Sequence, residues 1–594
     1  MIEFMKSISL GSAEDLKRQI RKSSKLKGRQ PEDKAIQELN SLKGLVFDRR
    51  DLLIENLHVL NDAYHGLQER HLVALAVLMK ISMAEVYEVA TFYHHFDILK
   101  ANEQHPAISV RVCNSVSCEM AGSQALIDRL KTLLGLKEVK IESVPCVGRC
   151  EQAPVAVVEQ YPVIFASPEK IADVVKQKIV RHPTSKKNGA FKLSDHIEQS
   201  VTKFHDDEIS PEYCGYEAYI HQGGYQVLKS IVSGARDPEI VIKAMEDSGL
   251  RGLGGAGFPA GRKWRIVKDQ IAPKLLAVNI DEGEPGTFKD RTYLERDPHR
   301  FLEGMLIATQ IVGIEACYIY LRDEYHGCRQ ILEDELAKLI SNPPCALPKI
   351  ELRRGAGAYI CGEESAMIES IEGKRGEPRM RPPYIAQIGL FGRPTLEHNF
   401  ETLYWIRDIL EKGSEWFSGF GRHGRKGLRS FSVSGRVKEP GVKLAPAGIT
   451  VQELIDEYCG GMQEGHEFYA YLPGGASGGI LPASMNQIPL DFDTLQPYGC
   501  FIGSAAVMIL SQKDQARDAA LNVMKFFEHE SCGQCTPCRV GTAKAATLMQ
   551  AKQWDQSTLN DLSQVMVDAS ICGLGQAAPN SIQTIVKYFP QEVK

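Results

Sequence analysis

The sequence lacks the features that mark membrane, secreted and nucleic-acid-binding proteins. No apolar run reaches the roughly 18 residues needed to suspect a membrane span, and the basic N-terminal segment has no apolar core of the kind a signal peptide needs. With 70 basic and 75 acidic residues, the formal net charge of −5 gives no electrostatic basis for binding nucleic acid. We therefore expect a cytoplasmic protein without a membrane or nucleic-acid partner.

The composition predicts several domains in a reducing compartment. A chain of 594 residues is too long for one core, and 43% apolar and 24% charged residues are typical of soluble proteins. Without secretory features, the fifteen cysteines are better explained as ligands and packing residues than as disulfides.

Four cysteines near the C-terminus have the spacing of a metal site. Cys532, Cys535 and Cys538 lie in S-C-G-Q-C-T-P-C-R, and Cys572 follows a helical stretch in I-C-G-L-G. Three thiols at three-residue spacing can reach one metal centre, and the fourth closes the site from a distant loop. The set favours a 4Fe-4S cluster held by four thiolates, with tetrahedral zinc as the alternative.

A second cysteine set has a different spacing. Cys113 and Cys118 form C-x4-C, and Cys146 and Cys150 form C-x3-C, each pair in a polar loop after a predicted strand. Two such pairs suit a 2Fe-2S cluster in which each iron takes one pair, whereas zinc and buried packing cysteines are the alternatives. The other cysteines are interpreted as packing residues: Cys214, Cys317, Cys328, Cys345, Cys361, Cys459 and Cys500.

The apolar periodicity changes along the chain. It is helical from about 48 to 96, where Ser82 and Glu85 form a predicted capping box. Strands and helices then alternate up to a helix that begins at Ser167 and Pro168. A larger α/β region, a glycine-rich strand region and a helical end follow.

A glycine-rich segment over 249–264 could bind phosphate. Gly252, Gly254 and Gly257 fit G-x-G-x-x-G, but the segment follows a predicted helix, whereas the dinucleotide fingerprint follows a strand. Glycines still let backbone amides approach phosphate oxygens, while Lys263 adds charge and Phe258 a stacking face. A tight turn between two elements is the alternative.

Two further segments strengthen the nucleotide interpretation. After the strand L-L-A-V, polar side chains crowd a strand's carboxyl end, where α/β domains bind ligands: Asn279, Asp281, Glu282 and Glu284. The segment over 353–365 places another glycine turn before a helix that begins near Glu364, and free amides at a helix N-terminus bind phosphate. Two such turns predict two phosphate-bearing ligands.

With these motifs, the region from about 216 to 594 resembles the flavoprotein subunit of the NADH-oxidising module of respiratory complex I. Residues 36–180 resemble the smaller 2Fe-2S partner of that module, here fused into the same chain. The resemblance implies a multidomain α/β protein. The expected parts are a basic extension (1–35), a helical bundle (36–104), a thioredoxin-like 2Fe-2S domain (105–180), a linker (181–215), an α/β FMN- and NAD-binding domain (216–430), a β-grasp domain (431–511) and a helical 4Fe-4S domain (512–594).

The resemblance also implies which residues contact the cofactors. Expected FMN contacts are Gly252, Gly254, Lys263, Asn279, Asp281, Gly362, Glu363, Asn399 and Thr402. Expected NADH contacts are Phe258, Lys263, Glu282, Glu284, Tyr359, Glu364 and Tyr384. The chain departs from the family pattern at His398, which replaces one of two paired asparagines and puts one flavin contact in question. It also departs at Ile266, which replaces an aromatic residue and weakens one face of adenine stacking.

The implied activity is hydride exchange between NAD(H) and FMN, with single electrons passing through the two clusters and no protein group acting as acid, base or nucleophile. The fused layout, the complete N-terminal cysteine set and the run S-V-S-G-R-V-K-E-P-G-V-K-L-A-P-A-G resemble the β subunit of soluble NAD-dependent formate dehydrogenases. The expected partner is therefore a molybdenum or tungsten α subunit. The alternatives are the diaphorase of a nickel-iron hydrogenase, a fused complex I subunit, a stand-alone flavoenzyme and a zinc-stabilised scaffold.

Overall fold

The computed structural model describes residues 28–100, 103, 105–135, 138–187 and 208–594. Most of the predicted basic extension and much of the predicted linker lie outside these residues. The chain forms two compact units, the first up to His105 together with Glu372–Arg375, and the second comprising the remainder. No helix in the described part of the chain is both long and apolar enough to cross a membrane.

The first unit is helical, as predicted from its apolar spacing. Its helices are Asp33–Ser41, Leu53–Tyr64, Glu69–Met79 and Met83–Phe92. The Ser82 side chain accepts the Glu85 amide while Glu85 accepts the Ser82 amide, so the predicted capping box is confirmed. Two short parallel strands pair within this unit: Leu67–Gln68, just before the third helix, and Ile98–Leu99, after the fourth.

The second unit begins with a thioredoxin-like α/β layer. In spatial order its sheet consists of Val139–Val144, Ile108–Cys113, Ala156–Val158 and Tyr161–Val163, and only the first two strands are parallel. Its helices are Val116–Met120, Ser123–Leu133 and Pro168–Lys176. The last helix begins as predicted, with the Ser167 side chain accepting the Lys170 amide and proline in the first turn.

The next layer is a fully parallel sheet flanked by helices. Its strands, in spatial order, are Thr395–Asn399, Lys274–Ile280, Ile314–Leu321 and Lys349–Arg354. Its helices are Tyr216–His221, Gln226–Val232, Pro238–Asp247, Ala260–Lys268, Lys289–Leu294, Pro298–Val312, His326–Ser341, Glu364–Ile371, Phe400–Tyr404, Ile406–Lys412 and Ser414–Ser418. A parallel sheet aligns the carboxyl ends of all its strands along one edge, and that edge holds the candidate site.

Two smaller parts complete the second unit. A mixed sheet contains Gly441–Pro446, Leu428–Gly435, Ala506–Ser511, Phe468–Leu472 and Leu481–Pro482, in that spatial order. The C-terminal helices are Ala516–Glu530, Thr536–Met549, Gln556–Ala569, Gly573–Ala577 and Asn580–Tyr588. The fold class expected from the sequence is therefore confirmed.

A buried carboxylate joins three parts of the α/β layer. Glu335 is fully buried on the helix His326–Ser341 and accepts hydrogen bonds from His299 Nε2 (2.8 Å), the Tyr216 amide (2.8 Å) and Tyr213 Oη (3.0 Å). Lys187 Nζ lies 2.7 Å from the same carboxylate. Burial acts to raise the pKa of Glu335, but the hydrogen bonds from His299 and Lys187 outweigh it and lower that pKa to about 2.

We expect Glu335→Gln to lower the free energy of unfolding by about 3 kcal/mol at pH 7, because a carboxyl group with a depressed pKa stabilises the folded state above its unfolded pKa. This contribution disappears only as the pH falls from about 4.5 towards 2. Denaturant unfolding at pH 7 and pH 5 should therefore give the same deficit. Glu333→Gln, an exposed change on the same helix, is the control. Equal stability of the two variants would contradict the assignment.

Candidate functional site

Two adjoining cavities open at the carboxyl edge of the parallel sheet. The smaller has a volume of about 390 Å³ and the larger about 800 Å³, and the residues lining both include Gly254, Asn279, Gly362 and Asn399. Of the fifteen residues predicted to contact FMN or NADH, only Thr402 lines neither cavity. The fold thus brings together glycine turns and acidic side chains that are far apart in the sequence.

Two asparagines mark the ends of neighbouring strands. Asn279 and Asn399 are paired in register at the ends of Lys274–Ile280 and Thr395–Asn399. The Asn279 amide donates to the Gly362 carbonyl (2.9 Å), which fixes the second glycine turn against the strand. Asn399 caps the following helix by accepting the Glu401 amide (3.0 Å). Both side chains are therefore held in place before any ligand binds.

Asp281 carries an unused acceptor at the base of the smaller cavity. Among the described residues, its buried Oδ2 atom has no hydrogen-bond partner, and burial raises the pKa of this carboxyl well above its usual value. Buried polar atoms in native proteins are normally paired. A ligand hydroxyl group would supply the missing donor, so this atom fits the polyhydroxyl chain of FMN.

The first glycine turn is shaped by close packing. A Cβ atom on Gly254 would lie 3.0 Å from Asn399 Cβ, so a larger residue would push the turn away from the strand end. The turn is held by the amide of Leu253, which donates to Thr402 Oγ1 (2.9 Å), and by the amide of Gly252, which donates to the Phe258 carbonyl (2.8 Å). Thr402 thus supports the turn from behind.

Lys263 projects into the larger cavity from the helix Ala260–Lys268. Its Nζ atom donates to the Glu397 carbonyl (2.9 Å) and lies 3.0 Å from Glu397 Oε2. Burial acts to lower the pKa of Lys263, but Glu397 outweighs this effect and raises it. The ammonium group is therefore a fixed positive charge, which is suited to a phosphate.

Glu284 is held by groups from two other segments. Its Oε1 atom accepts the Ser477 amide (2.8 Å) and the Ser477 hydroxyl (2.7 Å), and its Oε2 atom accepts the Tyr359 hydroxyl. Burial raises the pKa of Glu284, although these hydrogen bonds act in the opposite direction. Ser477 comes from the P-G-G-A-S-G-G run, which the sequence did not place in this site.

Glu282 has a different environment. Its carboxylate accepts the amides of Asp290 (2.8 Å) and Arg291 (3.1 Å) and the hydroxyl of Tyr325 (2.8 Å). It is buried and caps the helix Lys289–Leu294, so its oxygens already have donors within the protein. These hydrogen bonds fix the position of the loop that carries Glu282. Direct contact between Glu282 and NADH remains a prediction.

The outer part of the larger cavity is apolar and basic. Phe258 and Tyr384 are 39% and 56% exposed, which leaves both rings open to stack on a base. Ile266 also lines this cavity and supplies an apolar surface where the family has an aromatic one.

His398, the other departure from the family pattern, is buried and accepts a hydrogen bond from Trp264 Nε1–H (2.8 Å). Burial lowers the pKa of His398 well below its usual value and so keeps the ring neutral.

Three arginines that the sequence motifs did not single out line the same cavity: Arg262, Arg379 and Arg381. Arg379 and Arg381 belong to the R-G-E-P-R-M-R-P-P segment, whose basic residues among prolines were the available signal. Arg381 contacts both Glu363 and Glu364, with a distance of 3.1 Å to Glu364 Oε1. Glu363 also accepts the amides of Ser365 (3.0 Å) and Ala366 (2.9 Å), where the helix Glu364–Ile371 begins.

The C-terminal cysteines gather beside the larger cavity. Cys535 immediately precedes the helix Thr536–Met549, Cys538 lies in its first turn, and Cys572 immediately precedes Gly573–Ala577 and lines the cavity. A Cβ atom on Gly575 would lie 2.8 Å from Cys538 Cβ, so glycine is needed for the two helices to approach. All fifteen cysteines are free thiols, and this arrangement of donors fits a 4Fe-4S cluster.

The N-terminal cysteines are all buried. Cys146 and Cys150 have their sulfur atoms 3.3 Å apart, and the Gly148 amide donates to Cys146 Sγ (3.3 Å). Contact with Cys113, together with burial, raises the pKa of Cys146 to about 12, and Cys113 in turn contacts Cys118. Four crowded thiols of this kind form a fitting ligand set for a binuclear iron cluster.

The loop that holds Cys146 and Cys150 packs on the acidic segment of the α/β layer. Arg322 Nη2 donates to the Cys146 carbonyl (2.8 Å), and Arg291 Nε donates to the Gly148 carbonyl (2.9 Å). A Cβ atom on Gly148 would clash with Tyr325, the residue that donates to Glu282. One chain of contacts thus joins the cysteine loop to the segment that carries Asp281 and Glu284.

Four family models match the chain. Residues 37–178 match the thioredoxin-like 2Fe-2S ferredoxin and residues 245–408 the Nuo51 FMN-binding domain. Residues 430–481 match the SLBB domain, and residues 518–594 match the NADH-ubiquinone oxidoreductase-F iron-sulfur binding region. The expected cofactors, FMN, NAD, a 2Fe-2S cluster and a 4Fe-4S cluster, agree with these matches. The predicted domain boundaries and contact residues remain predictions.

Relatives and a solved structure extend this result. The NADH-quinone oxidoreductase F subunit of Aquifex aeolicus (strain VF5) is 40% identical over 397 residues, which cover 64% of this chain and 91% of that protein. NADH dehydrogenase (ubiquinone) flavoprotein 1, mitochondrial, of Dictyostelium discoideum is 39% identical over 425 residues, 68% of this chain and 87% of that protein. A crystal structure of NAD+-reducing NiFe-hydrogenase in the H2-reduced state has a TM-score of 0.76 at 29% identity and covers 92% of each chain.

These relatives match between 62% and 68% of the chain, whereas the solved structure covers 92% of it. The second NADH-quinone oxidoreductase F subunit of Rhizobium meliloti (strain 1021) is 38% identical over 385 residues, and the match covers 62% of this chain and 91% of that protein. The chain therefore belongs to the family of NADH-quinone oxidoreductase F subunits, NAD(H)-dependent flavoprotein oxidoreductases, and carries a thioredoxin-like 2Fe-2S domain in the same polypeptide.

Proposed function

We propose that this chain is the diaphorase subunit of a NAD-dependent formate dehydrogenase, exchanging electrons between NAD(H) and a partner that oxidises formate to carbon dioxide. The observation that carries the diaphorase part is the pair of adjoining cavities, one of which has Cys572, a predicted cluster ligand, in its wall. FMN, when bound, accepts a hydride and releases electrons singly, which links a two-electron carrier to one-electron clusters.

In this proposal the protein binds and orients FMN in the inner part of the site. Asn279, Asp281 and Asn399 offer polar groups at the strand ends, and Asp281 Oδ2 accepts a ribityl hydroxyl group. Gly252, Gly254, Gly362 and Glu363 form the turns around it. Lys263 supplies positive charge, and Thr402 keeps the first turn in place.

NADH occupies the outer part of the same site. Phe258 and Tyr384 stack on the base, while Glu284 and Tyr359 position the nicotinamide end near the inner cavity. Glu364 lies beside Arg381, which together with Arg379 compensates phosphate charge. Holding the two ring systems at reacting distance is the main catalytic contribution of the protein.

The choice of formate as the source of electrons rests on the sequence. The fused layout, the two complete cysteine sets and the run over 432–448 resemble formate dehydrogenase β subunits. Electrons then enter from a molybdenum or tungsten α subunit. The relatives are named as oxidoreductase subunits, which supports the more general proposal that this chain works in a multisubunit assembly.

A nickel-iron hydrogenase is the second candidate. It is favoured by one observation, the 92% mutual coverage with a chain of NAD+-reducing NiFe-hydrogenase. In this alternative the same diaphorase receives electrons from hydrogen.

The two cysteine sets should hold different clusters. We expect Cys535→Ala to remove one reduced-state EPR signal and leave the signal of the N-terminal 2Fe-2S cluster. Cys345→Ala, at a half-buried cysteine outside both sets, should retain both signals. Metal analysis that finds zinc, or a single cluster type, would rule out this assignment.

Glu284→Gln should lower kcat/KM for NADH with an artificial acceptor by roughly tenfold, because one charge-assisted contact is lost. Flavin occupancy should stay near that of the parent, since Asp281 and the strand-end asparagines are unchanged. Glu315→Gln, an exposed change in the strand Ile314–Leu321, is the control. Loss of FMN with unchanged NADH kinetics would reverse the assignment.

The partner can be identified with the native complex. We expect the complex purified around this chain to reduce NAD with formate as the electron donor. A parallel assay uses hydrogen. Hydrogen-driven NAD reduction without any formate activity would overturn the formate assignment in favour of the hydrogenase.

A further inference from the structure

A third cavity lies behind the first glycine turn, apart from the two described above. Its volume is about 290 Å³. Its wall combines the segment just before the turn with residues that flank the mixed sheet: Gly249, Leu250, Arg251, Leu253, Phe417, Gly424, Arg425, Lys426, Leu428, Arg429, Ala447, Asp491 and Phe492. It shares no lining residue with either of the other two cavities, so neither FMN nor NADH accounts for it.

The charge of this wall is strongly unbalanced. Arg251, Arg425, Lys426 and Arg429 face a single carboxylate within the wall, Asp491. Asp491 already accepts two of them, at 2.8 Å from Arg425 Nε and 2.6 Å from Arg429 Nη2.

Neighbouring carboxylates do not restore the balance. Asp493 pairs with Arg251 (2.6 Å) just outside the wall. Glu401, which also acts on Arg429, lies 3.0 Å from Lys289. With Asp491 and Asp493 counted, two of the four positive charges remain uncompensated.

Arg429 carries a buried hydrogen-bond donor that has no acceptor among the described residues. It is 5% exposed, and the only hydrogen bond of its side chain to a described residue uses Nη2. The Nε atom is buried without an acceptor among the described residues. An unpaired donor in a buried guanidinium group is costly, and burial, partly offset by Asp491, lowers the pKa of Arg429.

Two guanidinium groups share one aromatic ring in this wall. The Cζ atoms of Arg429 and Arg251 lie 4.1 Å and 4.5 Å from the ring centroid of Phe492. Each gains a cation–π contact, but two like charges on one ring repel each other. An anion in the adjoining cavity would relieve this repulsion and offer an acceptor to the guanidinium groups that line it.

We propose that this cavity binds a small phosphate dianion, either free phosphate or the phosphate group of a small monoester. Arg429 and Lys426 are its principal contacts, and Arg425 completes the ring of donors. A phosphate group is favoured because its several acceptor oxygens can satisfy separate guanidinium and ammonium donors at once.

The third cavity and the nucleotide site lie on opposite sides of the first glycine turn, which contacts residues of both. Arg251 Nε donates to the Gly257 carbonyl, and a Cβ atom on Gly257 would lie 2.6 Å from Phe492 Cδ1. The same turn therefore forms one wall of the nucleotide cavity and packs against the proposed phosphate site.

The test uses the full chain with FMN and clusters in place and NAD+ at saturating concentration, which occupies the phosphate subsites of the larger cavity. Inorganic phosphate and glycerol phosphate are titrated separately by calorimetry at constant ionic strength maintained with sodium chloride. We expect one saturable site per chain. The ligand that binds more tightly identifies free phosphate or a monoester as the natural occupant.

Two variants and one control locate that site. Arg429→Gln should weaken binding by about tenfold or more, because a buried charge-assisted hydrogen bond is lost. Lys426→Gln should weaken it by about threefold or more, and this residue is exposed, so its variant keeps the fold intact. Lys438→Gln, an exposed change outside the cavity, should bind as the parent does. Absence of saturable binding of both probes, or equal affinity in Lys426→Gln and Lys438→Gln, would overturn the proposal.

Discussion

The parallel pairing of Lys274–Ile280 with Thr395–Asn399 is the constraint on which the nucleotide site depends. It places Asn279 opposite Asn399, more than a hundred residues later in the chain, at one edge of the sheet. The acidic loop, the second glycine turn and the first glycine turn all contact this pair. Because side chains alternate along a strand, a shift of one residue in register would separate these contacts.

Buried charges hold the cysteine loop of the thioredoxin-like layer against the acidic segment. Arg291 lies 3.0 Å from Glu295, which also pairs with Arg149, and Arg322 bridges the Cys146 carbonyl to the loop of Glu282. Burying such ions is expensive unless they are paired, so removing one member of this network would leave an uncompensated buried charge. The network lets the two layers pack with one fixed relation between a cysteine set and the nucleotide site.

Glycine is required where segments approach closely around the site. Gly254 meets a strand end, Gly148 meets Tyr325 and Gly575 meets Cys538, and each contact is too short for a side chain. Gly257 likewise allows Phe492 to pack directly against the first glycine turn. Phe492 also lines the third cavity, which lies behind that turn. Backbone amides in such turns are left close to the ligand space, which is what phosphate recognition needs.

The sequence by itself determined the local features of this protein. Cysteine spacing predicted both ligand sets. Hydrophobic periodicity separated the helical unit from the α/β layers, and the capping residues Ser82 and Ser167 marked helix starts, because each of these signals depends on residues within one or two turns. Tertiary structure decided which side chains from distant segments are buried together and which of them form hydrogen bonds. In the folded chain, the Glu282 carboxylate accepts hydrogen bonds from Asp290, Arg291 and Tyr325, and Glu284 accepts one from Ser477. The Nε atom of Arg429 is buried without an acceptor among the described residues. None of these could be predicted from pattern, because burial and hydrogen-bond partners are set by strand order and packing between segments far apart in the chain.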